Sequence, residues 1–185
     1  MKGSKIIAIV GMPGSGKSTC VNFFKKNGLN EIYFGGIVVD TVRERGLVVN
    51  EVNERVVREE LREIEGMAVM AKRSLPKITA LIENNQNVII DDMYSFDEYK
   101  LLHDEYDDRL FVVAVVTPRE IRHNRLAIRP NRPLTAREAH SRDISQIENL
   151  DIGGSIAIAD YYLPNNASLE ELTNKLDVLL EKLDI

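Results

Sequence analysis

The chain has 185 residues, 44% hydrophobic and 29% charged, with 24 Lys and Arg against 29 Asp and Glu for a net charge of −5. That size and balance fit one domain with a real core, exclude a disordered chain, and make nonspecific nucleic-acid binding a poor candidate. The single cysteine, Cys20, excludes an intramolecular disulfide and a thiolate zinc cage, and no apolar run approaches the ~20 residues that span a bilayer. The segment Met1 to Lys5 lacks the apolar stretch of a secretory signal, so the expected setting is reducing and cytoplasmic, without a membrane partner.

Lys5 to Val10 predicts a buried strand, continuous and β-branched, ending at Gly11. Gly11-Met12-Pro13-Gly14-Ser15-Gly16-Lys17-Ser18 follows at once and matches G-x-x-x-x-G-K-[ST]. Glycines there let successive N–H groups converge on one anion, and the positive end of the next helix adds to them. Lys17 is placed for β/γ-phosphates, the Ser18 hydroxyl for Mg²⁺, and Thr19 for the α-phosphate. Gly16 to Lys26 predicts that helix, with Val21, Phe23 and Phe24 inward and Cys20 a packed apolar residue. Glu31 to Phe34 predicts a weak strand ended by Gly35-Gly36, and Ile37 to Arg45 a short helix closed by Gly46. A long amphipathic helix follows, with Val56, Val57, Leu61 and Ile64 at helical spacing and breaks expected at Gly66 and Pro76.

Asn87 to Asp91 predicts the next strand and Leu110 to Val116 the clearest one. The first ends in Asp91-Asp92, where a carboxylate beside a phosphate loop can hold Mg²⁺ through water or orient an attacking hydroxyl; Asp91 is the better candidate because it continues the strand. Capping boxes are expected at Ser95/Glu98, Thr117/Glu120, Thr135/Glu138 and Ser168/Glu171, with Pro118 at the first helical position. Between Thr117 and Arg142 stand seven arginines, no lysine and two glutamates. Arg122, Arg125 and Arg129 share a helix face, and Arg132 sits in the turn Arg129-Pro130-Asn131-Arg132-Pro133. An arginine-rich turn downstream of a phosphate loop reads as a lid that closes on polyphosphate. A solvated basic face accounts for Arg119, Arg122 and Arg137. No aromatic residue in the segment offers a base a stacking surface, so an RNA face is the weaker reading. His103, His123 and His140 lack metal-ligand spacing and are expected at the surface. Tyr161 to Leu163 predicts the last strand; Leu169 to Leu183 predicts a helix packed on the sheet, with a dimer contact as its second reading.

Strands alternating with helices predict an α/β fold: a P-loop NTPase of three α/β/α layers, with a five-stranded parallel sheet and a small lid. Residues 1–185 form one domain, with 36–78 as a helical acceptor-site region and 129–142 as the lid. Ligands gather at the carboxyl ends of such strands.

With these residues in place, the chain resembles the P-loop nucleotide kinases: adenylate-kinase-related proteins, with dephospho-coenzyme A kinase-like features. The phosphate loop carries the likeness, with Glu65-Gly66, Ala71 to Ile78, Arg125-Leu126, the R-x-x-x-Q run Arg142 to Gln146, and the A-D-x-x-x-x-N ending Ala159-Asp160 to Asn165. The resemblance implies that Asn165, Asn166 and Ala167 lie against the adenine of ATP, and that Arg125 and Arg129 are the arginines that open the lid. Two departures stand out. The family's acceptor-gripping arginines are replaced, at Gly35 to Val39 and at Asp91-Asp92-Met93-Tyr94. Arg62, Lys72 and Arg73 are candidates to restore that charge. The resulting expectation is an ATP- and Mg²⁺-dependent kinase for a small nucleotide-like or coenzyme-like acceptor. Lys17, Asp91, Arg125 and Arg129 act in catalysis, helped by Arg132 and Arg142, and Ser18 and Asp91 hold the metal. The alternative is a nucleotide-dependent switch or ATPase without a small-molecule acceptor; a nucleotide-binding pseudoenzyme ranks below both.

Overall fold

A computed structural model describes residues 3–185. Five strands, β1 (Ile6–Val10), β2 (Asn30–Tyr33), β3 (Val88–Asp91), β4 (Leu110–Val116) and β5 (Tyr161–Pro164), form one sheet in the order β2-β3-β1-β4-β5. All neighbours pair in parallel, with Ile7 opposite Ile89 on one side and Phe111 on the other. Nine helices connect and flank the strands among the described residues: α1 (Lys17–Lys26), α2 (Phe34–Glu44), α3 (Glu51–Glu65), α4 (Val69–Glu83), α5 (Phe96–Tyr106), α6 (Arg119–Ile128), α7 (Ala136–Leu150), α8 (Ile152–Ala157) and α9 (Leu169–Leu183).

Helices cover both faces, which is why the central strands read as unbroken apolar runs. Ile6, Ala8 and Val10 of β1 pack with Val38, Val57, Ile78 and Leu102 from α2 to α5. Ile7 and Ile9 pack with Cys20, Val21 and Phe24 of α1 and with Leu172, Leu176 and Leu179 of α9. The C-terminal helix thus lies on the sheet. Because β1 has β3 on one side and β4 on the other, the chain leaves the sheet in diverging directions there, and a crevice opens past the carboxyl ends of β1 and β3.

Several local expectations are corrected. Phe34-Gly35-Gly36 does not end a strand; it is the first turn of α2. A Cβ at Gly35 would sit 2.4 Å from the Tyr33 ring, so the residue leaves room for a side chain two positions earlier in the chain. Gly66 does end α3, but α4 runs through Pro76. The hydrogen bond lost there, about 3 kcal/mol in an exposed helix, is offset by burial of Val69, Met70, Ala71, Ile78 and Ile82 on the same helix. On α3, Val57 and Leu61 are buried while Val56 and Ile64 face outward. Full capping boxes form at Ser95/Glu98 and Thr135/Glu138, and Ser168 accepts from the Glu171 amide. None forms at Thr117/Glu120: Pro118 is the cap of α6, and the Thr117 hydroxyl is used elsewhere.

Candidate active site

The phosphate loop wraps the end of β1 and leads into α1. Gly14 and Gly16 have φ of 78° and 105°, where a side chain is strained. Space forbids one as well: a Cβ at Gly14 would lie 2.6 Å from the Arg122 carbonyl oxygen, and one at Gly16 would lie 2.2 Å from Asn165 Nδ2. Lys17 is buried, donates from Nζ to the Gly11 carbonyl at 2.8 Å, and lies 5.3 Å from the centre of the Tyr94 ring. Burial lowers its pKa to about 8, against the pull of Asp92 and Asp91. Ser18 and Thr19 are exposed at the head of α1, whereas Cys20 behind them is buried, its thiol pushed up to about 12 by desolvation. Met12, Pro13 and Ser15 complete the loop, with the Ser15 amide donating to the Met12 carbonyl at 3.1 Å.

Facing the loop across a cleft of about 290 Å³ stand Asp92, Tyr94, Arg125, Leu126, Arg129, Arg142 and Gln146. Asp91 closes β3, and Asp92 turns away from the strand with φ of 67°. Burial, then the neighbouring Asp92, raise Asp91 to about 6. Burial first, then the charge of Asp92, raise the Tyr33 phenol to about 12 and Tyr94 well above its ordinary value. The loop carrying Asp92 and Tyr94 is anchored by Glu98, whose Oε2 accepts from the amides of Tyr94 at 2.8 Å and Ser95 at 2.9 Å. Glu98 is buried, which lifts its pKa to about 7. Of the replacement cations, Arg73 is paired with Glu65 at the surface and Lys72 is exposed. Arg62 is the one near the site, half-buried in the fields of Glu98 and Tyr94, with no partner for its Nε among the described residues.

Helix α6 runs from beside the phosphate loop to the turn at residues 129–133. Arg125 reaches the Ser15 carbonyl at 3.4 Å, a long contact, and Arg129 Nε donates to the Arg132 carbonyl at 2.7 Å. Arg132 meets Glu51, and Glu54 at 3.5 Å, tying the turn to α3. Arg122 is not part of a solvated face. It is 6% exposed and donates to the Pro13 carbonyl and to Asp143. Its helical spacing was legible, but its partners lie 109 and 21 residues away in sequence, beyond the reach of periodicity. His123 is likewise drawn in, 3.0 Å from Asp143, while His103 and His140 are exposed. Arg119 and Arg137 are exposed. Asn165 is buried, with Nδ2 donating to the Ser15 carbonyl at 2.7 Å, and its own carbonyl accepts from the Thr117 hydroxyl at 3.0 Å. Thr117 also donates to Ser15 O at 3.1 Å. The Asn165 side chain therefore braces the phosphate loop, while Asn166 and Ala167 remain exposed beside it.

A larger groove of about 440 Å³ runs between β5 and α9, lined by Tyr162, Pro164, Val178 and their neighbours. It is mostly apolar and lies away from the converging cations, so the chemistry is sought at the smaller cleft.

A family model described as an AAA domain matches residues 7–147. A UPF0200 protein of Thermococcus gammatolerans is 35% identical over 181 residues, covering 96% of this chain and 95% of its own. The chain belongs to both groups. Among solved structures, shikimate kinase from Bacteroides thetaiotaomicron superposes with a TM-score of 0.61 at 16% identity, over 98% of this chain and 99% of that one. Dephospho-CoA kinase from Campylobacter jejuni gives 0.60 at 16% identity, over 97% of each chain. This UPF0200 protein therefore has a P-loop kinase-like α/β fold.

Proposed function

We propose that this UPF0200 protein is an ATP- and Mg²⁺-dependent phosphotransferase acting on a small nucleotide-like or coenzyme-like acceptor. The observation that carries the reading is the convergence of Lys17, Arg125, Arg129 and Arg142 on one cleft whose floor is a phosphate loop. Four cations facing a curl of backbone amides suit a polyphosphate and the spread charge of a phosphoryl group in transfer. Lys17 exchanges the Gly11 carbonyl for β/γ-phosphate oxygens, and Asn166 and Ala167 lie where an adenine would rest. Ser18 and Asp92 line the cleft and Asp91 ends β3 directly before Asp92; Ser18 and Asp91, with Asp92 beside them, would offer the hard oxygen donors that Mg²⁺ prefers. Burial, then the neighbouring Asp92, raise Asp91, and a divalent cation there would favour its charged form. That ion would supply charge neutralisation between the phosphates. Among the described residues no three His, Cys, Asp or Glu side chains converge, so its other ligands would be phosphate oxygens and water.

The acceptor would enter between Asp92, Tyr94 and the helices α2 to α4, within the 36–78 region, under a lid formed by 129–142. Carboxylate and phenol in place of arginine suit a hydroxyl-bearing acceptor. The same replacement supports a second reading, a nucleotide-dependent switch or ATPase without a small-molecule acceptor. Among the described residues no helix is long and apolar enough to cross a membrane; the proposed setting is cytoplasmic. Mass spectrometry after incubation with MgATP and pooled metabolites tests the reading. A kinase yields a product heavier by one phosphoryl group, whereas ADP and phosphate alone favour the switch. Thermal shift gives a parallel test, because an acceptor adds stabilisation beyond MgATP only in a kinase.

A further inference from the structure

Helix α7 presents two faces at the cleft end. Arg142 and Gln146 line the cleft, and Asp143 between them is buried against α6. The Asp143 carboxylate is a hub. Its Oδ1 and Oδ2 accept from the two terminal nitrogens of Arg122, each at 2.8 Å, and Oδ2 lies 3.0 Å from His123 Nε2. One of those Arg122 nitrogens, Nη1, donates at the same time to the Pro13 carbonyl of the phosphate loop at 2.9 Å. A few ångströms away, the Arg122 backbone carbonyl packs on Gly14. A single guanidinium thus bridges the loop and the helix that carries Arg142.

Both side chains of the pair are 7% exposed. A buried ion pair of this kind adds little net stability over apolar residues of the same shape, because desolvation cancels most of the attraction. What it does provide is geometry: a two-armed planar fork holds one angle and one distance. A second feature of α7 opens toward the cleft. Gln146 is 7% exposed, lines the cleft, and its Oε1 has no hydrogen-bond partner among the described residues. A buried acceptor of this kind is unfavourable until a donor arrives.

We infer that Arg122 and Asp143 are positioning residues, a strut by which the phosphate loop sets the placement of α7 and so aims Arg142 and Gln146 at whatever the loop holds. This rests on the donor site proposed above. A triphosphate that tightens Pro13 and Gly14 tightens α7 through the strut, and cutting the strut leaves the loop its own contacts with the phosphates but frees α7 from them.

Hydrogen–deuterium exchange with and without MgATP tests the strut in the full chain. In the unaltered protein MgATP slows exchange about tenfold at the amides of α1 and of α7. In Asp143→Asn, which loses the charge, and in Arg122→Lys, which keeps one arm and loses the fork, α1 keeps its ligand-dependent protection and α7 loses it. A purely structural pair would raise exchange of α7 in free and bound states alike and leave the difference between them intact; that result overturns the strut. So does α7 that is unprotected in the unaltered protein while α1 is protected. If MgATP protects neither helix in the unaltered protein, the donor-site reading itself fails and the strut falls with it. Protection of α1 in each variant shows that it is folded.

Discussion

The two walls of the cleft are built by different means. The loop wall, Gly11 to Thr19, is nine consecutive residues whose main chain does the work, closed by Asn165 and Thr117 from elsewhere. The far wall takes Asp92 and Tyr94 from the loop after β3, Arg125 and Leu126 from α6, Arg129 from the turn that follows it, and Arg142 and Gln146 from α7. A wall made of backbone tolerates little change, because each glycine has a carbonyl or amide pressed on its Cα. A wall made of side chains can be rewritten one residue at a time. Tyr94 is such a side chain: it stands on this wall where the resemblance leads one to expect an arginine, while the phosphate loop keeps its full signature.

The strongest challenge to this contrast is Lys17→Ala, the one side chain on which the loop wall depends. Turnover of ATP should fall by about 10²–10³-fold, with circular dichroism unchanged; undiminished turnover would remove Lys17 from the chemistry. Arg129→Ala strikes the far wall. The rate should drop about tenfold or more and ATP affinity by less, since the arginine serves the transferring group more than the bound nucleotide. An effect on neither would make the lid a surface feature.

Smaller effects sharpen the electrostatics. Lys17 has a pKa of about 8 when free, and a polyphosphate favours its charged form. Near pH 8, MgATP binding should therefore take up about half a proton, and affinity should weaken as pH rises further. Calorimetry in two buffers of different ionisation enthalpy measures this; binding without uptake would place the phosphates away from Lys17. The smallest expected effect concerns Glu98. Its folded pKa of about 7 stands above the ordinary 4.5, so the folded state holds its proton longer than the unfolded chain does. This group costs nothing below pH 4.5, destabilises progressively from there to pH 7, and its full cost remains above. Glu98→Gln should reduce the fall in stability between pH 5 and pH 7.5, followed by urea midpoints. Asp91, raised in the same sense, keeps its own share in that variant. Equal pH dependence in the two proteins would show that Glu98 titrates normally.

Legibility followed the same division. The strands β1, β3 and β4 were readable because burial on both faces demands unbroken apolar runs, and the phosphate loop because its signature is local. The arginine-rich segment was readable as a group, but the fate of each member was not. Arg122 and Arg125 are three residues apart on one helix face; one is locked between Pro13 and Asp143, the other reaches only a distant carbonyl. Asp143 stood in view inside the Arg142 to Gln146 run, where the flanking residues drew attention and the carboxylate did not. Thr117 looked like a helix cap, and its hydroxyl instead joins Ser15 to Asn165.

By itself, then, the order of residues determined the layers, the parallel sheet and the loop, since each depends on periodicity or on neighbours a few positions apart. Only the tertiary structure decided which arginine is a strut and which faces the cleft, that Asp92 rather than Asp91 lines it, and that Asn165 braces the loop. Those assignments depend on which groups meet across the fold and on how much water each loses there, and chain spacing carries no record of either.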